Sequence, residues 1–259
     1  MVLSLTGNGV HGILYGNLAE GDKTMQGLRK LTTESESGNP LSMVVGILVF
    51  GSVWGLVEAT LGGFLHLIHF TYTGAITGGI AMSIMAAFVV MYRRPRLVFF
   101  LAVIAALFKP LSALIYGQPI FAPFVYNPAS AILLEGLGFT AVVSLLFKGF
   151  ESSIKMRITA GISAGYLSAI LYAVLASAVG MGNWAFMGVT ERVTTALTNG
   201  TGLAIVGTSL LLLGHLVSVR LRPRFSELGS TRPRLYYAGT TTTIAFCWII
   251  AAVAFASGL

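Results

Sequence analysis

Charge is what this chain has least of. Lys, Arg, Asp and Glu make up only 10% of its 259 residues, whereas a soluble domain carries about 25%. Acids are scarcer than bases, 9 against 16, and the one aspartate, Asp22, lies in the opening stretch. An intramembrane aspartyl protease needs Asp inside a span, so that class is excluded. Cysteine is nearly absent as well. Cys247 stands alone in an apolar run, so no internal disulfide forms, and it reads as a small buried side chain. There is no phosphate-binding loop, because "GTG" at 200–202 sits in an apolar run with no strand before it.

What is present is hydrophobic length. Apolar residues account for 55% of the chain, and the mean hydropathy is +0.83. About 20 apolar residues cross a bilayer. Seven stretches qualify, at 43–69, 73–92, 97–116, 129–147, 158–180, 198–219 and 236–257. The expected fold is an all-α integral membrane protein, with a six-helix bundle over 41–220 and a seventh transmembrane helix at 236–259. A basic linker at 221–235 joins them. Residues 1–40 form a mixed polar tail, which includes His11. It lacks the basic leading region and apolar core of a signal peptide, and Met25 or Met43 would serve as alternative starts.

Basic residues orient the spans. Lys23, Arg29 and Lys30 precede the first span, and Arg93, Arg94 and Arg96 follow the second. Lys148, Lys155 and Arg157 follow the fourth, and Arg220, Arg222, Arg224, Arg232 and Arg234 follow the sixth. The alternate loops hold only Arg192. The chain is therefore expected in the cell (plasma or inner) membrane as a multi-pass protein, N-terminus in the cytoplasm and C-terminus outside. The outward loops, at 70–73, 117–128 and 181–197, are nearly uncharged and rich in aromatics, Pro and Gly.

Three charged residues interrupt the spans. Glu58 stands in "FGSVWGLVEATLGGFLHLIHF", Lys109 in the third span and Glu135 in the fourth. At about 1.5 Å per residue, all three fall roughly 18–20 Å above the inner face of a core about 30 Å thick. Charges at that depth usually face a bundle interior or a cavity. Two arrangements fit: a sealed ion-pair network that fixes helix packing, or a polar pocket open to the outside. Two carboxylates against one ammonium leave a negative charge, which a proton, a cation or a cationic ligand would relieve.

Around this layer, Trp54, Glu58, Gly62, His66 and His69 recur at helical spacing on one face of the first span. His66 and His69 have no third metal ligand nearby except the outer Glu191, and no metal or cofactor is expected. Pro110, next to Lys109, would kink its helix, and Asn127-Pro128 reads as the start of the fourth helix. Gly51 and Gly55, Gly74 with Gly78 and Gly79, and Gly161 with Gly165 form small-residue pairs suited to close helix packing. Ser209 and His215 point to different faces of one helix, so no serine-protease pair arises, and the expectation is of no catalytic residues.

This arrangement resembles the substrate-binding S components of energy-coupling factor (ECF) vitamin transporters. The resemblance rests on topology and on the character of the outward loops at 70–73, 117–128 and 181–197, with Gly51-x-x-x-Gly55 in the place of the docking pair, over roughly 41–220. The family has six helices, a cytoplasmic N-terminus and a substrate site beneath its outer loops. It docks through small residues of helix one, often alanines, on a transmembrane coupling protein that works with ATPase subunits. The resemblance implies a vitamin-like ligand held by Glu58, Lys109, Glu135, Trp54, His66, Tyr126 and Trp184, and partner docking at Gly51 and Gly55. The seventh helix and the glycines in place of alanines depart from the family. Carboxylates with aromatics suit a cationic heteroaromatic, thiamin-like or pyrimidine, whereas Lys109 suits a carboxylate ligand. The alternatives are an accessory subunit of a larger membrane complex, built around a sealed Glu-Lys-Glu network, and a lone proton- or cation-coupled carrier. The carrier would need charge in the inner half of a span, and none is present there. No nucleic-acid partner is expected.

Overall fold

Prolines, glycines and short polar breaks set the helix ends. The structure, a computed structural model, describes residues 40–258. The expected tail, with His11, Lys23, Arg29 and Lys30, therefore lies outside the described residues up to position 39. Helix α1 spans Pro40–Leu67 and α2 spans Thr73–Tyr92. Helix α2 stops at Arg93, whose φ of 53° lies in the left-handed region and whose N–H donates to the Val89 carbonyl at 2.8 Å. Pro95 opens a 3-10 turn, Pro95–Leu97, leading into α3 (Val98–Ala106) and α4 (Phe108–Ile115). Pro110 supplies no N–H and crowds the carbonyl four residues earlier, that of Ala106, and α3 ends there. The Leu107 N–H is shared between the Val103 and Ile104 carbonyls at 3.2 Å. The kink expected from Pro110 is thus a break into two helices within one span.

Helix α5 covers Pro123–Ser152, α6 Ile154–Val179, α7 Val189–Thr231 and α8 Pro233–Ala256. Two helices depart most from the sequence expectation. The fourth span starts at Pro123 rather than after Pro128, because proline is well placed at a first helical position. Pro128 then lies inside the helix. Helix α7, expected as 198–219, runs 43 residues, about 64 Å at 1.5 Å per residue. Both ends continue in polar residues, which hydropathy does not count but which helices outside lipid accept. Much of the expected linker 221–235 is therefore helical, with Arg232 the single residue between α7 and α8.

Among the described residues every regular element is helical, and seven spans are long and apolar enough to cross a membrane. The chain is an all-α, multi-pass membrane protein. Connections after α2, α5 and α7 gather at one end, here the basic end. Those after α1, α4 and α6 gather at the other, the aromatic end. The core joins Trp54, Met82, Met85, Phe88, Leu101, Phe139, Phe150 and Leu211. Helices α2 and α7 run parallel through a glycine seam. Gly79 faces Val206 and Leu210, Gly207 faces Met82, and Gly214 lies on the Ser83 backbone. Helix α6 joins the seam through Gly161 against Thr208 and Gly165 against Ala204.

Helix α8 runs from the basic end to the aromatic end. Near its start the Tyr236 hydroxyl lies 3.4 Å from that of Tyr92. Midway, Trp248 donates to Ser52 Oγ at 3.1 Å and stacks on Phe108, with ring centroids 4.2 Å apart. Cys247, Ala251 and Phe255 close an apolar cluster with Ala59 and Phe108, and Cys247 is buried as its surroundings required.

Candidate functional site

The charged residues of the polar layer stand on three helices, with α2 and α6 bordering them. Glu58 of α1 is 9% exposed. Lys109 of α4 places Nζ 3.9 Å from Glu58 Oε2 and donates to the Glu58 backbone carbonyl at 3.3 Å. Gly62, one turn along α1, stands beside this carboxylate. A Cβ there would stand 3.5 Å from Glu58 Oε2 and 3.6 Å from Thr77 Cγ2 of α2. Lys109 is held from behind, because its neighbour Phe108 is fully buried beneath Trp248 and Ser112 Oγ donates to the Lys109 carbonyl at 2.7 Å.

Glu135 of α5 completes the layer from the other side. Its carboxylate lies over Gly78 of α2, where a Cβ would meet Oε1 at 2.8 Å and the Leu203 side chain at 2.7 Å. Ser168 of α6 points its hydroxyl at the Glu135 backbone carbonyl, 3.5 Å away. The Glu135 carboxylate is close enough to feel the charge of Glu58. Among the described residues it has no ion pair or hydrogen bond, so the only cation bonded within the layer, Lys109, is committed to Glu58.

The other expected site residues are placed differently. Trp54, one turn below Glu58, is fully buried, with its ring 3.9 Å from the Cβ position of Gly136. Its Nε1 has no hydrogen-bond partner, so the ring belongs to the core and offers no open face. Tyr126 and Trp184 meet in a separate cluster with Tyr172, Met181 and Met187 at the aromatic end. Tyr126 lies nine residues before Glu135, roughly 13 Å outward along α5. His66 is exposed at the end of α1 and does not enter the layer. No group of three potential metal ligands occurs among the described residues. His215 packs edge-on to Phe150, with centroids 5.8 Å apart.

Gly51 and Gly55 are buried inside the bundle. A Cβ on Gly51 would meet Ile104 at 2.6 Å, and one on Gly55 would run into Phe108. Their close packing is therefore intramolecular, and the neighbouring Ser52, Val53 and Leu56 pack against α8. The sequence reading missed the role of Gly78. It marked this residue for helix packing only, yet its missing side chain also makes room for the Glu135 carboxylate. A glycine at the depth of an intramembrane acid was the available signal. A groove of about 310 Å³ between α6 and α7, lined by Tyr166, Thr201, Thr208 and Ser209, contains none of the charged layer.

No family model matches this chain, and no curated protein or solved structure is significantly similar to it.

Proposed function

We propose that this protein is the substrate-binding subunit of an uptake transporter for a vitamin-like small molecule, similar in plan to ECF S components. The ligand site is the Glu58–Lys109–Glu135 layer in the outer half of the bundle, and transport is energised by separate coupling and ATPase subunits. The basic end then faces the cytoplasm. The observation that carries this reading is the unequal pairing of the layer. Lys109 already serves Glu58, and Glu135 has no cation of its own. An ionised carboxylate in low dielectric without a counter-charge is costly, and a cationic group on the ligand removes that cost. The favoured ligand is a cationic heteroaromatic. With Trp54 closed into the core, its stacking partners come from the Tyr126–Trp184 cluster nearer the surface.

The test is ligand-induced thermal stabilisation of the purified protein across vitamins and their precursors. A compound that raises the unfolding temperature of the parent but not of Glu135→Gln supports the reading. Failure of every compound, or equal stabilisation of Glu135→Gln, overturns it. A second reading, an accessory subunit of a larger complex, is favoured by the closure of the Glu58–Lys109 pair, whose side chains retain only 11% and 13% exposure. It expects no stabilising compound.

A further inference from the structure

We infer that the turn between α7 and α8 is a binding site for the headgroups of anionic lipids. Helix α7 overshoots the bundle. Aligned on the Gly214–Ser83 contact, it runs about two turns, roughly 12 Å, beyond the level where α2 ends. Helix α8 then turns back after the single residue Arg232, and Tyr236 returns to Tyr92. The overhang with the turn that leads into it and the start of α8, residues 220–234, holds five arginines against one glutamate, Glu227. All five are exposed, and none of their side chains forms an ion pair or hydrogen bond with another described residue.

Two other arginines at the same end are used within the chain. Arg93 grips Glu151 through two bonds of 2.6 and 2.7 Å. Arg157 donates to the Phe150 and Glu151 carbonyls at 2.8 and 3.0 Å. The arginines of the overhang are free for an anion from outside. A guanidinium offers paired donors that match a phosphate. Beside these arginines, Phe225 and, in the first turn of α8, Leu235 are exposed, 45% and 55% accessible. Arginines interleaved with exposed apolar side chains, beginning where an apolar span ends, suit the boundary between phosphate headgroups and acyl chains. A soluble acidic partner would leave those apolar side chains without a role.

The experiment uses the full-length protein in neutral detergent, titrated with phosphatidylglycerol or with phosphatidylcholine of the same acyl chains. Bound lipid is counted by native mass spectrometry. The parent is expected to retain phosphatidylglycerol in clear preference. R222Q/R224Q/R232Q should bind it at least tenfold more weakly, since each arginine near a charged membrane surface contributes about fivefold. R94Q/R96Q, at the same end but outside the overhang, should lose clearly less than the triple variant. These arginines have no partners in the fold, so unfolding temperatures in phosphatidylcholine should not change. Equal retention of both lipids by the parent overturns the inference. So does undiminished phosphatidylglycerol binding by the triple variant, or an equal loss in R94Q/R96Q. Displacement of the lipid by millimolar inorganic phosphate or by polyglutamate would also overturn it, in favour of a soluble anion or an acidic protein.

Discussion

Helix α2 faces two quite different neighbours. Along α7 it meets a seam in which side chains have been removed. Gly79, Gly207 and Gly214 let the backbones approach, and Gly161 and Gly165 bring α6 in beside them. Towards α1 and α5 it borders the layer where Glu58, Lys109 and Glu135 have been put into the bundle. The seam is held by close van der Waals contact, the usual means of joining helices where lipid removes the hydrophobic driving force between them. The layer is held by one ion pair and carries an excess carboxylate. A seam of glycines has little tolerance for added volume and should ignore changes of charge. The layer should respond the other way round.

The largest effect is expected in the seam. Gly165→Leu would drive its Cβ into the Ala204 backbone, whose N and Cα stand 2.8 and 3.0 Å from that position. Backbone cannot move aside as a side chain can, so the penalty should exceed the usual ~1–3 kcal/mol for an overpacked core. Size-exclusion chromatography in detergent should yield no monodisperse protein. If Gly165→Leu is recovered folded, with an unfolding temperature near that of the parent, the seam is looser than its contacts indicate.

Next comes the layer. Lys109→Met leaves Glu58 buried with no counter-charge, and breaking a buried pair from one side costs roughly 3–5 kcal/mol. Removing both charges, in Glu58→Gln/Lys109→Met, should restore most of that loss. Denaturant unfolding of the two single variants and the double variant measures the coupling. Additive losses would mean that the 3.9 Å pair contributes nothing as a pair.

Trp248→Phe tests how α8 supports the layer. It removes the bond to Ser52 Oγ and weakens the stack on Phe108, which should cost about 1–2 kcal/mol. Arg93→Gln, at the basic end, should cost less, within about 1 kcal/mol. Its fork onto Glu151 is well formed, but the arginine side chain is 43% exposed and the pair is screened by water and salt. A loss from Arg93→Gln larger than that from Trp248→Phe would show that the basic end, rather than α8, carries the stability.

How much of this was legible in the sequence follows the same division. Hydropathy located seven spans, because lipid imposes a length on every crossing segment. Rise per residue put Glu58, Lys109 and Glu135 at one depth, and the structure sets Lys109 against Glu58 with Glu135 in electrostatic reach. Depth, however, says nothing about rotation around a helix axis. Trp54 shares a nominal face with Glu58, yet it turns into the core, while His66 falls beyond the bundle at the end of α1. Gly51 and Gly55 suited the chain's own helices by default and, through the family resemblance, a neighbouring subunit, since small residues carry no mark of what they touch. The extra turns of α7 were invisible to hydropathy because they lie in polar sequence.

The smallest effect should come from Gly62, a glycine of the layer that touches no part of the seam. A Cβ on Gly62 would meet Glu58 Oε2 at 3.5 Å and Thr77 Cγ2 at 3.6 Å, both ordinary contact distances. Gly62→Ala should therefore fold as the parent does. It should even gain the ~0.5–1 kcal/mol by which alanine exceeds glycine inside a helix. The added methyl would nevertheless stand beside the carboxylate that Lys109 approaches. If a ligand enters the layer here, Gly62→Ala should weaken its binding while leaving or raising the unfolding temperature. A structural pair with no visitor predicts the gain in stability and nothing else. Measuring both quantities on this one variant separates a site from a strut without disturbing any charge.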